Sequence, residues 1–563
     1  MVNFNNSIKP VLFIINEIFP LKSKLLIYLV PYYFFTIINA TLEISAIFLF
    51  VLMLTSSNVN VMTESIPSFF IYILDFFSIK IIYPDLIYLT LALFGFNLLF
   101  RFMLFYTEGK LAARIRNNLQ QNIFKKYMYS LRSSIGNYNV GRMVGTNTQE
   151  ALNVTKLLSL IVHSSYFFIT TIITLTMAFS INYKITFLLG FIGIPLLLLM
   201  RFVIKTQTDL SVKLSTIRNN FSSNITDKLN GLFQIQSDFS QIYHLKKSFI
   251  IQEDYSRKEV LIALCQAFVG SFYILVPFFS LLIFSIYIML YDMKDFSFTL
   301  SLYAGIAAIC YKLIGQMSGF IASIGNISRL YGSILTTIKA LEVKCISNKK
   351  NIINDISSIE INNLSFSYKK KNIIKNLNLV INKGKPLLIK GNSGKGKTTL
   401  LNLINGIEIP HKGTIFFKDI YGHKYDSSKF NFKIGYVVQD IYFFNDSLKN
   451  NLTSGKKISD MKIWKILDDV GIKDFIVKLG GLNIKVDEAG RTFSGGQLRR
   501  LGIARALIGN PQVLLFDEIL SGLDQANKKQ IIKLIEKIKK DRIVIIISHE
   551  NLILSNSNQF LMP

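Results

Sequence analysis

Six long stretches almost free of charge fill the first 325 residues, at 25–54, 84–106, 157–181, 185–205, 264–291 and 298–322. A bilayer core about 30 Å thick is crossed by about 20 apolar residues in a helix. Lipid offers the backbone no hydrogen-bond partners, so a crossing segment must satisfy its own. The N-terminal part is therefore predicted to be an all-α six-helix bundle. Only Asn182-Tyr183-Lys184 separates the third stretch from the fourth, which predicts an antiparallel hairpin. The first stretch is too long for a signal-peptide core.

Formal net charge is +28, with half the residues hydrophobic. The apolar blocks assign that charge to membrane flanks rather than to nucleic-acid binding. Lys9, Lys22 and Lys24 precede the first stretch, and Lys110, Arg114, Arg116, Lys125 and Lys126 follow the second. Lys205, Lys213, Lys246, Lys247, Arg257 and Lys258 lie between the fourth and fifth, whereas the opposite loops hold chiefly Lys80, Lys184 and Lys294. Both termini are expected in the cytosol. Cys265, Cys310 and Cys345 have no metal-ligand spacing and read as small buried apolar residues.

Residues 107–156 and 206–263 are polar, helix-compatible and poor in Gly and Pro. They are expected to extend the membrane helices into the cytosol, each ending in a short turn that docks on the domain that follows; plain solvated hairpins are the alternative. Asn137-Tyr138-Asn139-Val140-Gly141-Arg142-Met143 is the candidate first contact. Glu43, Arg101 and Lys312 are ionisable residues inside apolar stretches, where they need partners or water. Counting along the helices puts Glu43 toward the outer leaflet and the two cations toward the inner one. Arg101 and Lys312 either line a hydrated substrate cavity that attracts an anionic headgroup or snorkel to the interface, and Glu43 is a third candidate for that cavity. Residues 331–358 read as a linker, and the chain carries one copy of each unit.

From Ile359 onward, short β-branched strands alternate with helices, the pattern of an α/β domain with a largely parallel core. Gly391-Asn392-Ser393-Gly394-Lys395-Gly396-Lys397-Thr398 follows the strand Pro386-Leu387-Leu388-Ile389 and leads into a helix from Thr399. This is a phosphate-binding loop: its N–H groups converge on a polyphosphate, Lys397 neutralises it and Thr398 offers a hydroxyl to Mg²⁺. The loop alone fits ATPases and GTPases equally. Val513-Leu514-Leu515-Phe516 is an apolar strand ending in Asp517 and Glu518, a placement that points to metal and proton chemistry.

Other motifs follow in order: Gly435-Tyr436-Val437-Val438-Gln439, Phe493-Ser494-Gly495-Gly496-Gln497, Ser521-Gly522-Leu523-Asp524, and His549 after the strand 543–547. As an ordered set with the loop, they make residues 359–563 resemble the ATP-binding cassette of ABC transporters. The whole chain resembles an exporter-type half-transporter. The resemblance implies ATP and Mg²⁺ as cofactors. Tyr368 would stack on adenine; Thr398, Gln439 and Asp517 would hold Mg²⁺; Glu518 would be the general base and His549 the γ-phosphate switch. Ser494, Gly495, Gly496 and Gln497 would bind the γ-phosphate held by an opposite cassette, and Asp524 would lie in the loop between cassettes. Val438 stands where many relatives carry proline, and Phe493 where leucine is usual. Residue 563 lies 14 past His549, whereas most relatives continue further, which bears on cassette stability.

A composite site implies a dimer, a homodimer or a pairing with a paralogue. The expected activity is ATP hydrolysis driving export or flipping across the bacterial cytoplasmic membrane. Local likeness to lipid-linked oligosaccharide flippases rests on 181–186, 440–448 and Tyr311-Lys312-Leu313, with apolar content at 66–79 matching their short external helix. Gly315 departs from a common proline there. An amphipathic or lipid-linked cargo follows; peptide or drug export is the alternative, and an ATP-gated channel or nucleotide sensor belongs to another class.

Overall fold

A computed structural model describes residues 4–19, 22–55, 83–135, 140–181, 183–290, 296–345, 350–368, 371–487, 490, 492–549 and 554–562. The stretch 66–79, Asn137-Tyr138-Asn139 and Asn182 lie outside the described residues. The chain divides into two compact units, Met1–Met128 with Asn137–Val343, and Tyr129–Gly136 with Lys344–Pro563.

The first unit is helical. It contains α1 (Phe4–Ile18), α2 (Lys22–Thr55) and α3 (Tyr83–Met128). After α4 (Arg132–Ile135), which belongs to the second unit, come α5 (Val140–Gly145), a π-turn over Thr146–Glu150, and α6 (Ala151–Ile181). Then follow α7 (Tyr183–Asn230), α8 (Leu232–Ser237), α9 (Gln241–Leu290) and α10 (Phe296–Leu341). Each apolar stretch lies within one long helix, apart from residue 291 of the fifth, which falls outside the described residues. Among the described residues, Leu25–Ile47, Asp85–Met128 and Val140–Thr176 are long and apolar enough to cross a bilayer.

Several polar groups inside the bundle pair between helices, as a medium without water favours. Asn97 Nδ2 donates to Asn39 Oδ1 at 3.1 Å, and Thr174 Oγ1 donates to Gln316 Oε1 at 3.0 Å. Beyond the apolar stretches, α3 continues with Leu111, Ile115, Leu119 and Ile123 buried on one stripe, spaced by four. Ile14 and Ile18 of α1 join that core with Ala151 and Val154 of α6 and Ile334 of α10. Helix α1 was not anticipated, although Ile14 and Ile18 carry the same spacing. Nor was the reach of α10: buried Ile334, Thr337, Ala340 and Leu341 carry it into the stretch expected to be linker.

Two expectations need correction. Lys312 and Glu43 are not at different depths: Lys312 Nζ lies 3.1 Å from Glu43 Oε2. Counting residues ignores where helices cross, whereas two charges in an apolar medium gain most by meeting. Arg101 is exposed on α3 and lies within electrostatic reach of Lys312. A cavity of about 740 Å³, bounded by Phe105, Glu108, Arg116, Lys156, His163 and Arg329 among others, includes none of the three predicted residues. Cys265 and Cys345 are half-buried rather than buried.

The second unit is α/β. Its elements run β1 (Lys350–Ile353), β2 (Ile356–Tyr368), β3 (Lys371–Asn382), β4 (Leu387–Lys390), α11 (Lys397–Ile404), β5 (Lys412–Asp419), β6 (Lys424–Asp426), β7 (Phe430–Phe432) and β8 (Ile434–Val437). They continue with α12 (Leu448–Thr453), α13 (Asp460–Asp469), α14 (Lys473–Leu479), α15 (Gly495–Ile508), β9 (Val513–Asp517), α16 (Gln525–Ile538), β10 (Ile543–Ile547) and β11 (Asn558–Leu561). A parallel sheet orders β11-β4-β10-β9-β8, and an antiparallel sheet orders β3-β2-β5-β6. Strands β9 and β10 are buried on both faces, as central parallel strands are. The period of two splits their side chains: Leu514, Phe516, Val544 and Ile546 enter one core, and Val513, Leu515, Ile543, Ile545 and Ile547 the other. This double anchoring holds the C-terminal ends of β4, β9 and β10 in register.

Candidate functional site

Those three strand ends carry the phosphate loop, the acid pair Asp517 and Glu518, and His549. The loop after β4 turns through Gly391, Gly394 and Gly396, whose φ values of +142°, +81° and +91° suit glycine. Asn392, Ser393, Gly394 and Lys395 form its exposed rim, whereas Lys397 and Thr399 are buried where α11 begins. The lysine folds back over the loop. Its Nζ donates to the carbonyls of Gly391 at 2.6 Å and Asn392 at 3.1 Å. Gly396 caps α11 without a side-chain acceptor, so the helix's first N–H groups need partners from elsewhere.

Asp517 ends β9 at 2% exposure, hydrogen-bonded to the hydroxyl of Thr398. Its Oδ2 is buried without a hydrogen-bond partner. Burial, with Glu518 adding repulsion, pushes its carboxyl above the usual aspartate range. An orphaned carboxylate oxygen beside a hydroxyl is an oxygen donor set short of a hard cation.

Glu518 leaves the strand at φ +53°, a conformation that costs a non-glycine residue energy. Its amide donates to Ile547 O at 3.1 Å, which ties the bend to β10. Gln439 Nε2 donates to Glu518 Oε2 at 3.0 Å. On the other side His549 Nε2 lies 3.2 Å from Glu518 Oε1 and 3.4 Å from Lys397 Nζ. Residues 397, 439, 518 and 549 thus form one cluster.

The remaining predicted residues are not joined to it. Ser494 caps α15 in a reciprocal box: its Oγ accepts from Gln497 N at 3.3 Å, and Gln497 Oε1 accepts from Ser494 N at 2.8 Å. Phe493 anchors that start among Phe443 and Phe475, leaving Ser494 and Gly495 exposed. Asp524 caps α16, accepting from Asn527 N at 2.8 Å. Among the described residues, no hydrogen bond or ion pair links 494–497 to the phosphate loop.

Tyr368 ends β2 with its ring edge-on to Phe366. Burial, then the Glu408 carboxylate, pushes its phenol above the usual tyrosine range. Two residues near it escaped sequence reading. Arg132 lies within electrostatic reach of Tyr368, Tyr436 and Asp517. Glu408 is buried, and the one available signal was an acid set between Ile407 and Ile409 ahead of Pro410.

Residues 374–521 match the family model described as ABC transporter. In fold, the chain is similar to a bacterial Atm1-family ABC exporter with ATP bound, with a TM-score of 0.79, 18% identity, and coverage of 94% of this chain and 93% of that one. Residues 374–521 thus match an ABC transporter cassette, and the whole chain shares the fold of that exporter. Relatives in sequence agree with that build. An ATP-dependent lipid A-core flippase of Pasteurella multocida is 25% identical over 485 residues, covering 83% of this chain and 81% of that protein. An export ATP-binding/permease protein of Rickettsia prowazekii is 36% identical over 262 residues, 43% of this chain and 44% of that one. The chain thus spans less than half the length of the first curated relatives it matches. The matched domain is of the ATP-binding type.

Proposed function

We propose that the chain is one half of an ATP-driven exporter that hydrolyses ATP at composite sites in a dimer and moves an amphipathic or lipid-linked cargo across the cytoplasmic membrane. The observation that carries this reading is the cluster of Lys397, Gln439, Glu518 and His549 at the strand ends, separate from the open helix start at Ser494. A sensor need only bind nucleotide; a carboxylate held between an amide and an imidazole equips the site for turnover.

ATP binding lets Lys397 exchange its loop carbonyls for phosphate oxygens. Asp517 and Thr398, with Gln439, fit Mg²⁺, which supplies charge neutralisation between the phosphates when bound. Glu518 then accepts the proton of the attacking water, oriented by Gln439, while His549 contacts the γ-phosphate. Tyr368 stacks on the base. Ser494, Gly495, Gly496 and Gln497 of a second copy close over the γ-phosphate, with Asp524 between the cassettes. A nucleotide that binds the closed pair better than the open one shifts the equilibrium of the attached helices. The cationic flanks support cytosolic termini.

For cargo, the sequence likeness to a protein named as a lipid A-core flippase favours an amphipathic lipid. The test is ATP hydrolysis and cargo movement by the dimer in lipid vesicles, wild type against Glu518→Gln. Hydrolysis should depend on Glu518 and rise with a lipid-linked glycan more than with peptides or dyes. Wild-type protein that binds ATP without hydrolysing it would leave the sensor reading.

A further inference from the structure

One buried carboxylate near the site has no part in the proposed chemistry. Glu408 is 1% exposed, in the turn after α11. Its two oxygens are divided between two hydroxyls. Ser133 Oγ donates to Oε2 at 2.6 Å, and the Tyr368 phenol donates to Oε1 at 3.4 Å. Ser133 lies on α4, which the chain reaches directly from the end of α3 at Met128. The segment is fastened at its base as well: Leu131 N donates to Lys344 O at 2.9 Å, and Ser130 bridges to Cys345. A hydroxyl–carboxylate–hydroxyl chain therefore runs from the ring that takes the base to the segment continuing a long helix.

The two bonds are unequal. The first has the length of a strong charge-assisted contact, and the second is stretched beyond the usual O–H···O range. At 1% exposure the carboxylate has little water to replace a lost donor, so ring poses that shorten the second bond are favoured. A base stacked on the ring restricts its poses, and Glu408 passes the restriction on.

We propose that Glu408 and Ser133 are positioning residues that report occupation of the base site, through the Tyr368 hydroxyl, to segment 129–135. This rests on the reading of Tyr368 as the base-stacking residue. A polyphosphate without a base fills the phosphate loop and leaves the ring unengaged, so the two ligands are distinguishable.

The test is hydrogen exchange at the Leu131 and Ser134 amides, both internally bonded. It uses the full-length protein in lipid nanodiscs with no nucleotide, with magnesium ATP and with magnesium tripolyphosphate. Exchange should slow with ATP and not with tripolyphosphate. Ser133→Ala should lose the ATP-specific slowing with ATP affinity unchanged. Tyr368→Phe, which keeps the ring and removes the hydroxyl, should lose it too. A purely structural role would speed exchange equally under all three conditions. Equal slowing by both ligands, or full ATP-specific slowing in Ser133→Ala, overturns the proposal. An unaltered KM for ATP in Tyr368→Ala would instead remove the base-stacking reading, a separate result.

Discussion

His549 Nε2 stands 3.2 Å from Glu518 Oε1 and 3.4 Å from Lys397 Nζ, so one ring nitrogen faces both the carboxylate and the ammonium. Closing a phosphate chain over Lys397 must alter what His549 and Glu518 contact. Position 518 is also bent at φ +53° and held by Gln439. Its carboxylate is placed by three separate restraints.

Glu518→Gln keeps the shape and removes the proposed base. Steady-state hydrolysis in nanodiscs should fall about 10²–10⁴-fold, the usual worth of a positioned general base. ATP binding, read by equilibrium titration, should persist. Hydrolysis within a few-fold of wild type would reassign the base.

The proposed composite sites are open to a complementation experiment. Subunits carrying Lys397→Ala and subunits carrying Ser494→Arg should each be inactive alone. Co-assembled, a mixed dimer has one site with both wild-type halves, and hydrolysis should return. No recovery in verified mixed dimers would mean that each chain works by itself.

Asp517 links the site to pH. Its carboxyl titrates above the ordinary aspartate range because of burial. Below that ordinary range it is protonated in the folded and unfolded chain alike, and the unbound cassette keeps its full stability. As pH rises, the unfolded chain ionises first, and stability is lost until the raised folded value is passed. Asp517→Asn should therefore stabilise the nucleotide-free protein at neutral pH by about 1 kcal/mol and flatten this dependence, while abolishing the stabilisation that magnesium ATP adds. Thermal unfolding across pH, with and without magnesium ATP, reads both effects.

The ion pair in the bundle makes a fourth prediction. Glu43→Gln leaves Lys312, at 10% side-chain exposure, without its carboxylate and should destabilise the protein by about 2 kcal/mol. Glu43→Gln with Lys312→Met should recover most of that loss. If cargo-stimulated hydrolysis also survives in the double variant, the pair serves structure and not cargo.

Much of this was legible in the chain itself. The long helices follow from the length of the apolar stretches, and the parallel sheet from short β-branched runs. The phosphate loop could be read because Gly391, Gly394 and Gly396 meet a local backbone requirement. Helix α1 and the end of α10 were not marked, because their burial depends on partners from α3 and α6. Glu408 was passed over because a lone acid announces nothing until Ser133, 275 residues earlier, supplies its donor.

Sequence order alone determined which chemical groups exist and which local shapes they take: glycine turns, the Ser494 cap, apolar spans and an acid pair at a strand tip. Tertiary structure decided which groups meet. It placed Gln439 and His549 on either side of Glu518, paired Lys312 with Glu43, and left Asp517 Oδ2 without a donor. Backbone sterics and hydrophobic periodicity act over a few residues and are written in neighbouring positions. Charge pairing and desolvation act through space, and their partners are fixed only when distant segments pack.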